Sequence, residues 1–323
     1  MSTYAPQITG WQFKALIFSI IAATAGYLVF SVWSGWQEVT TAFIKIGISG
    51  ACIALLLSLV NYGLRFIRWQ MYLQHLEQPV QWQSSLRIYL SGFALTTTPG
   101  KAGEAFRGVL LKQYGVPYPV TFAMFLSERL SDLVAIVLLT LLGLSQYPQA
   151  QGMVLIGLLG IVAVLIGISS KSLLTTAHRW AEEKNGRLFK LLAHLFELLS
   201  VARRCHSPRL LIIATLLSLI AWAAEALAFH WVLQWLGADI SFEFAVFIYA
   251  LSMLVGGLSF LPGGLGSAEA VMIALLVLKG MAMPTAVAAT VFIRLATLWF
   301  AVLIGLFALY KSLHREVTQN TNA

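Results

Sequence analysis

Six predominantly apolar stretches, residues 13–33, 42–64, 118–142, 153–170, 210–236 and 285–310, recur along this chain of 323 residues. Each is close to the ~20 helical residues that cross a bilayer core, where only helices and closed barrels satisfy every backbone polar group. The lengths select helices. Two further apolar stretches, 86–98 and 242–261, stop at Pro-Gly pairs and are followed by shorter helical runs. With 59% hydrophobic and 11% charged residues and a mean hydropathy of +0.81, too little polar surface remains to solvate a globule. The sequence therefore predicts an all-α, polytopic integral membrane protein.

The net charge of +8 has no soluble basic domain to carry it, which argues against nucleic acid and for a role in topology. The segment 171–209 holds Lys171, Arg179, Lys184, Arg187, Lys190, Arg203, Arg204 and Arg209 against three glutamates, so the positive-inside rule places it in the cytoplasm. Arg65, Arg68, Lys311 and Arg315 are expected on the same side, and the cation-free loops 143–152 and 237–241 on the other. Within 171–209, Leu188, Leu191, Leu192, Leu195, Leu198 and Leu199 recur at helical spacing among Lys184, Arg187 and Lys190, as in a basic amphipathic helix lying on a leaflet or in a simple connector.

The broken segments resemble each other. Pro99, Gly100, Gly103, Glu104, Pro117 and Arg129 match Pro262, Gly263, Gly266, Glu269, Pro284 and Arg294 in the same order. The offset drifts from 163 to 167 and back to 165, so small insertions separate the copies. Charge counting from an inside N-terminus sends the first break in from the cytoplasm and the second from outside. That is the pattern of an inverted-topology repeat, with cores at about 83–142 and 242–310 in a single domain of 1–323. The expected architecture is about six spans plus two opposed re-entrant hairpins, or eight spans if the hairpins cross fully, with both termini cytoplasmic.

Ionisable groups at bilayer depth cost at least ~2.5 kcal/mol each on insertion scales, so they face a partner or a water-filled cavity. Glu128 and Asp132 share a helix face by their i, i+4 spacing, with Arg129 beside them, while Glu225 and Arg294 sit in later spans. Lys101, Glu104, Arg107 and Glu269 belong to the broken segments. Two arginines, one per repeat, have the geometry to hold a phosphate or carboxylate bidentately. The alternative is neutralisation, Arg129 by Glu104, Glu128 or Asp132 and Arg294 by Glu225 or Glu269; a substrate displacing a resting ion pair reconciles both. Gly100, Gly103, Gly263 and Gly266 precede short helices, either to let an anion approach free N–H groups or to form tight turns with positive φ.

Neither a nucleotide loop nor metal-ligand spacing is present, and Ser127, Ser131 and His230 fall in no hydrolase pattern, so the sequence points away from an enzyme, a metal or a cofactor. Cys52 and Cys205 are not expected to pair. The run after Lys14 ends in WSGW without a cleavage pattern and reads as an uncleaved span.

The runs RFIRWQMYL at 65–73, PGKAGEAFRGVLL at 99–111, SERLSDL at 127–133 and PGGLGSAEA at 262–270 together resemble the lysylphosphatidylglycerol synthase transmembrane family, over nearly the whole chain. The resemblance implies a bacterial or archaeal inner-membrane flippase-like protein that moves a lipid headgroup between leaflets. It further implies importance for Glu104, Arg107, Glu128, Arg129, Asp132, Glu269 and Arg294. Because the sequence stops at Ala323 after a short polar tail, the soluble synthase domain of two-part members is not expected. Anionic phospholipids or polyprenyl-phosphate carriers are the implied cargo, with a separate synthase or glycosyltransferase as a possible partner. A scaffold for such an enzyme and an ion-coupled solute carrier are the rival readings.

Overall fold

A computed structural model describes residues 36–98, 104, 106–144 and 151–321. The expected first span at 13–33 and the residues Pro99, Gly100, Lys101 and Gly103 lie outside the described residues. Among the described residues every regular element is helical. In chain order these are α1 (Trp36–His75), α2 (Trp82–Ser91), α3 (Arg107–Lys112), α4 (Tyr118–Leu142), α5 (Gln151–Ser169), α6 (Lys171–Glu182), α7 (Arg187–Arg203), α8 (Pro208–Trp235), α9 (Phe242–Leu258), α10 (Ser267–Leu278), α11 (Met283–Arg294) and α12 (Phe300–Thr321).

Three stretches among the described residues are long and apolar enough to cross a membrane: Gln37–His75, Pro208–Trp235 and Met283–Ser312. The third joins α11 and α12 through one π turn, Leu295–Trp299. Their outward faces carry exposed apolar side chains such as Ile48, Ile212, Ile220, Leu303 and Phe307, which suits lipid contact. α5 passes the same test only together with α6, from which it is bent by 77°. α4 is also long enough to span, at about 37 Å, but carries Glu128, Arg129 and Asp132 in its middle.

α1 corrects the sequence reading. The second span was expected to end at Leu64 with Arg65 and Arg68 beyond it on the cytoplasmic side, yet the helix continues to His75. Nothing in Arg65-Phe66-Ile67-Arg68-Trp69 breaks a helix, and both arginines are buried. The break in α1 lies earlier, at Gly47, whose φ of 67° is one that glycine adopts without a Cβ penalty.

In a lipid interior, close packing of small residues holds helices together, because there is no hydrophobic force between them. Ala214, Ala221 and Ala226 of α8 and Ala286, Ala288 and Ala289 of α11 are fully buried for this purpose. α9 and α10 form a helical hairpin about 25 Å and 18 Å long, closed at a turn through Pro262–Gly264. A Cβ on Gly256 would stand 2.9 Å from that of Ala268, and one on Gly264 3.0 Å from the Gly256 Cα. The first broken segment follows a similar plan. After α2, the turn Gly92–Leu95 leads to Glu104 and α3, and a Cβ on Gly92 would fall 2.8 Å from the Arg107 stem. Thr97, just before the first break, meets the second, since a Cβ on Gly263 would lie 3.5 Å from the Thr97 Cα.

Candidate functional site

On α4, the i, i+4 spacing puts Glu128 and Asp132 on the face turned to α1, whose Arg65 and Arg68 sit at i, i+3 and point back. Arg68 Nη1 donates to Asp132 Oδ1 at 2.6 Å and to Ser131 Oγ at 3.0 Å, and also to Ser218 Oγ of α8. Arg65 Nη2 reaches Asp132 Oδ2 at 3.1 Å. From the first broken segment, Arg107 Nη2 donates to Glu128 Oε2 at 2.9 Å and lies 3.4 Å from Glu104 Oε2. Its guanidinium stands over the rings of Trp69 and Tyr89, at 4.6 and 5.1 Å. That stacking and the absence of a side chain on Gly92 explain how a full guanidinium is accommodated in the interior.

Buried ions are tolerated when they are paired, and here four guanidiniums meet three carboxylates. With the carboxylates ionised, the cluster keeps one positive charge in excess. The partly exposed member is Arg129, at 22% side-chain exposure. Its Nη2 lies 3.2 Å from Asp132 Oδ2 and 3.4 Å from Glu104 Oε2, but neither carboxylate is aligned with an N–H, so Nε and Nη2 donate no hydrogen bond. Asp132 is already engaged by two other arginines.

The second half is built on the same pair with a different outcome. Arg294 Nε donates to Glu269 Oε1 at 2.6 Å, and Arg294 Nη2 to the Gly263 carbonyl at 2.8 Å. The other Glu269 oxygen accepts the Gly266 N–H at 2.7 Å. Glu269 therefore caps α10 and holds α11 at once, and the Gly266 N–H is taken by the chain's own carboxylate. Gly263 and Gly266, at φ 63° and 85°, make the turn. Glu104 and Arg129 in the first half, and Glu269 and Arg294 in the second, are each 25 residues apart and each in contact.

Both halves open onto one cavity of about 300 Å³. Arg65, Glu104, Arg129 and Asp132 line it from the first half, Gly263 and Arg294 from the second, and Glu225 from α8. Tyr249 donates to Glu225 Oε2 at 2.7 Å. Arg107, Glu128 and Glu269 are not in its wall but hold residues that are. In the π turn after Arg294, the Thr297 carbonyl accepts from Tyr62 of α1, beside the cavity. His230 lies elsewhere, against the Phe242 ring, and Ser127 and Ser131 donate to their own helix.

Sequence reasoning missed Arg65 and Arg68 as site residues. Their i, i+3 spacing with no intervening breaker was the available signal. It also missed Gly92 and Gly256, which are 164 residues apart and so continue the repeat upstream.

A helical bundle with exposed apolar flanks, and a buried arginine–carboxylate network facing a cavity, defines a membrane protein with a polar interior site. Residues 15–305 match the lysylphosphatidylglycerol synthase TM region, and the chain belongs to that family. It is similar to the UPF0104 membrane protein PH1989 of Pyrococcus horikoshii, 24% identical over 90% of this chain and 95% of that one. A UPF0104 membrane protein of Methanothermobacter thermautotrophicus is 26% identical over 86% and 88% of the two chains. A second protein of that description from the same organism is 23% identical over 91% and 93%.

Proposed function

We propose that the protein is a lipid flippase, moving a phosphate-bearing lipid between the leaflets of the cytoplasmic membrane by way of this cavity. The observation that carries the reading is the partly exposed Arg129, whose carboxylates are shared with other arginines, in the wall of a cavity that both repeats line. A volume near 300 Å³ is at the small end of ligand sites, adequate for a headgroup while acyl chains stay in lipid. Arg129 is partly exposed in the cavity wall, which suits a phosphate oxyanion. Arg65 and Arg68 share Asp132 with Arg129, so that carboxylate is not dedicated to it.

The contact between Thr97 and Gly263 supports opposed re-entrant hairpins meeting at membrane depth, where irregular backbone is tolerated only beside protein or a cavity. The cations of 171–209 support a cytoplasmic position for α6 and α7. The test is transfer of a headgroup-labelled anionic phospholipid across vesicles containing only the purified protein. Protein-dependent transfer that Arg129→Ala cuts at least about tenfold is the expected result. Transfer no faster than in protein-free vesicles counts for a scaffold role instead.

A further inference from the structure

We infer that α6 and α7 form an interfacial platform that seats on the anionic headgroup layer of the membrane the protein spans. The first observation is orientation. α6 leaves the apolar helix α5 at 77°, so if α5 crosses the bilayer, α6 runs nearly in its plane. The second is the division of α7 into three faces. Phe189, Leu192 and Phe196 are half-buried as α7 packs on α4 and α6, whereas Leu188 and Leu191 are 65% and 69% exposed, with Leu195 beside them. Arg187, Lys190 and His194 occupy a neighbouring exposed strip.

A helix with one face on protein, one apolar and one cationic fits the headgroup–acyl boundary better than bulk water. On α6, Leu173 and Trp180 are likewise exposed, next to Lys171 and Arg179. Lys184, in the turn, lies 4.4 Å from the Trp180 ring, which places an ammonium and an indole together as at a membrane surface. Charge selects the occupant. From Lys171 to Lys190 there are five Lys or Arg against Glu182 and Glu183, a surplus of three cations, and anionic lipid attracts juxtamembrane cations one by one.

The experiment places a nitroxide at L191C, or at K190C as the water-facing control, in chains also carrying C52S and C205A. The full protein is reconstituted in phosphatidylcholine with or without a quarter phosphatidylglycerol. Collision with oxygen should exceed collision with a water-soluble nickel complex at position 191, with the order reversed at position 190. The protection at 191 should deepen with phosphatidylglycerol, and each of K184Q, R187Q and K190Q, made in the L191C chain, should lower the seated-to-unseated ratio about fivefold. Water-like accessibility at 191 in both vesicles overturns the inference. So does protection accompanied by spin–spin broadening between two copies, which makes a second chain the occupant. None of these readouts requires lipid transfer, so they stand or fall separately from the flippase reading.

Discussion

Two copies of one motif, a glutamate and an arginine 25 residues apart beside a Pro-Gly break, end in different physical states. In the second copy the arithmetic closes: one guanidinium meets one carboxylate at 2.6 Å, a carbonyl at 2.8 Å takes another N–H, and Arg294 is 4% exposed. In the first, three carboxylates are shared among four guanidiniums, and Arg129, the more exposed of the two arginines there that face the cavity, has no carboxylate to itself. The lesson is that an intramembrane arginine is a lock when its partner is dedicated and a ligand site when its partner is shared. The residue that undoes the first pairing comes from outside the repeat, on α1.

The largest expected effect follows from breaking the closed pair. Arg294→Met leaves Glu269 buried opposite nothing and should destabilise the protein by about 3–5 kcal/mol, read as a lowered thermal midpoint in detergent. Arg294→Met with Glu269→Leu should recover most of that loss, and failure to recover would show that the pair is not a dedicated lock. Arg129→Ala should do the opposite. It removes the surplus charge, so stability should change by less than about 1 kcal/mol, while lipid transfer falls at least about tenfold.

Gly92→Ala and Gly256→Ala compare the two breaks directly. The new methyl at 256 meets the fixed Ala268 Cβ, whereas at 92 it meets the flexible stem of Arg107. Gly256→Ala should cost about 1–3 kcal/mol, and Gly92→Ala less, with its main effect on transfer because Arg107 holds Glu104 and Glu128. The smallest effect belongs to Arg65→Gln. It removes one of three arginine partners from Asp132 and tightens the Arg129 pair, so transfer should drop several-fold and Arg65→Lys should restore it. Equal transfer in Arg65→Gln and the parent would dissociate α1 from the tuning of Arg129.

Much of the frame was legible from local pattern. The runs at 210–236 and 285–310 became α8 and the α11–α12 span because apolar length alone defines such helices. The Pro-Gly break at 262 became a turn because its glycines adopt positive φ, and the 25-residue spacing of Glu269 and Arg294 already contained their contact. What was not legible is long-range. Whether an arginine after an apolar run lies in a loop or turns inward depends on a carboxylate 67 residues away for Arg65 and 64 for Arg68, and charge counting has no means to see it. Likewise, Glu225 was visible as an intramembrane carboxylate, but its donor Tyr249 sits on another helix.

The central claim is that the surplus guanidinium of the first repeat receives the lipid phosphate in the shared cavity. A structure determined in nanodiscs of anionic phospholipid tests it most directly. The account predicts phosphate density within hydrogen-bonding distance of the Arg129 guanidinium, with the Arg294–Glu269 pair intact. Phosphate density on Arg294 with that pair opened, or lipid seated only on the outer faces while the cavity stays closed to it, would contradict the account.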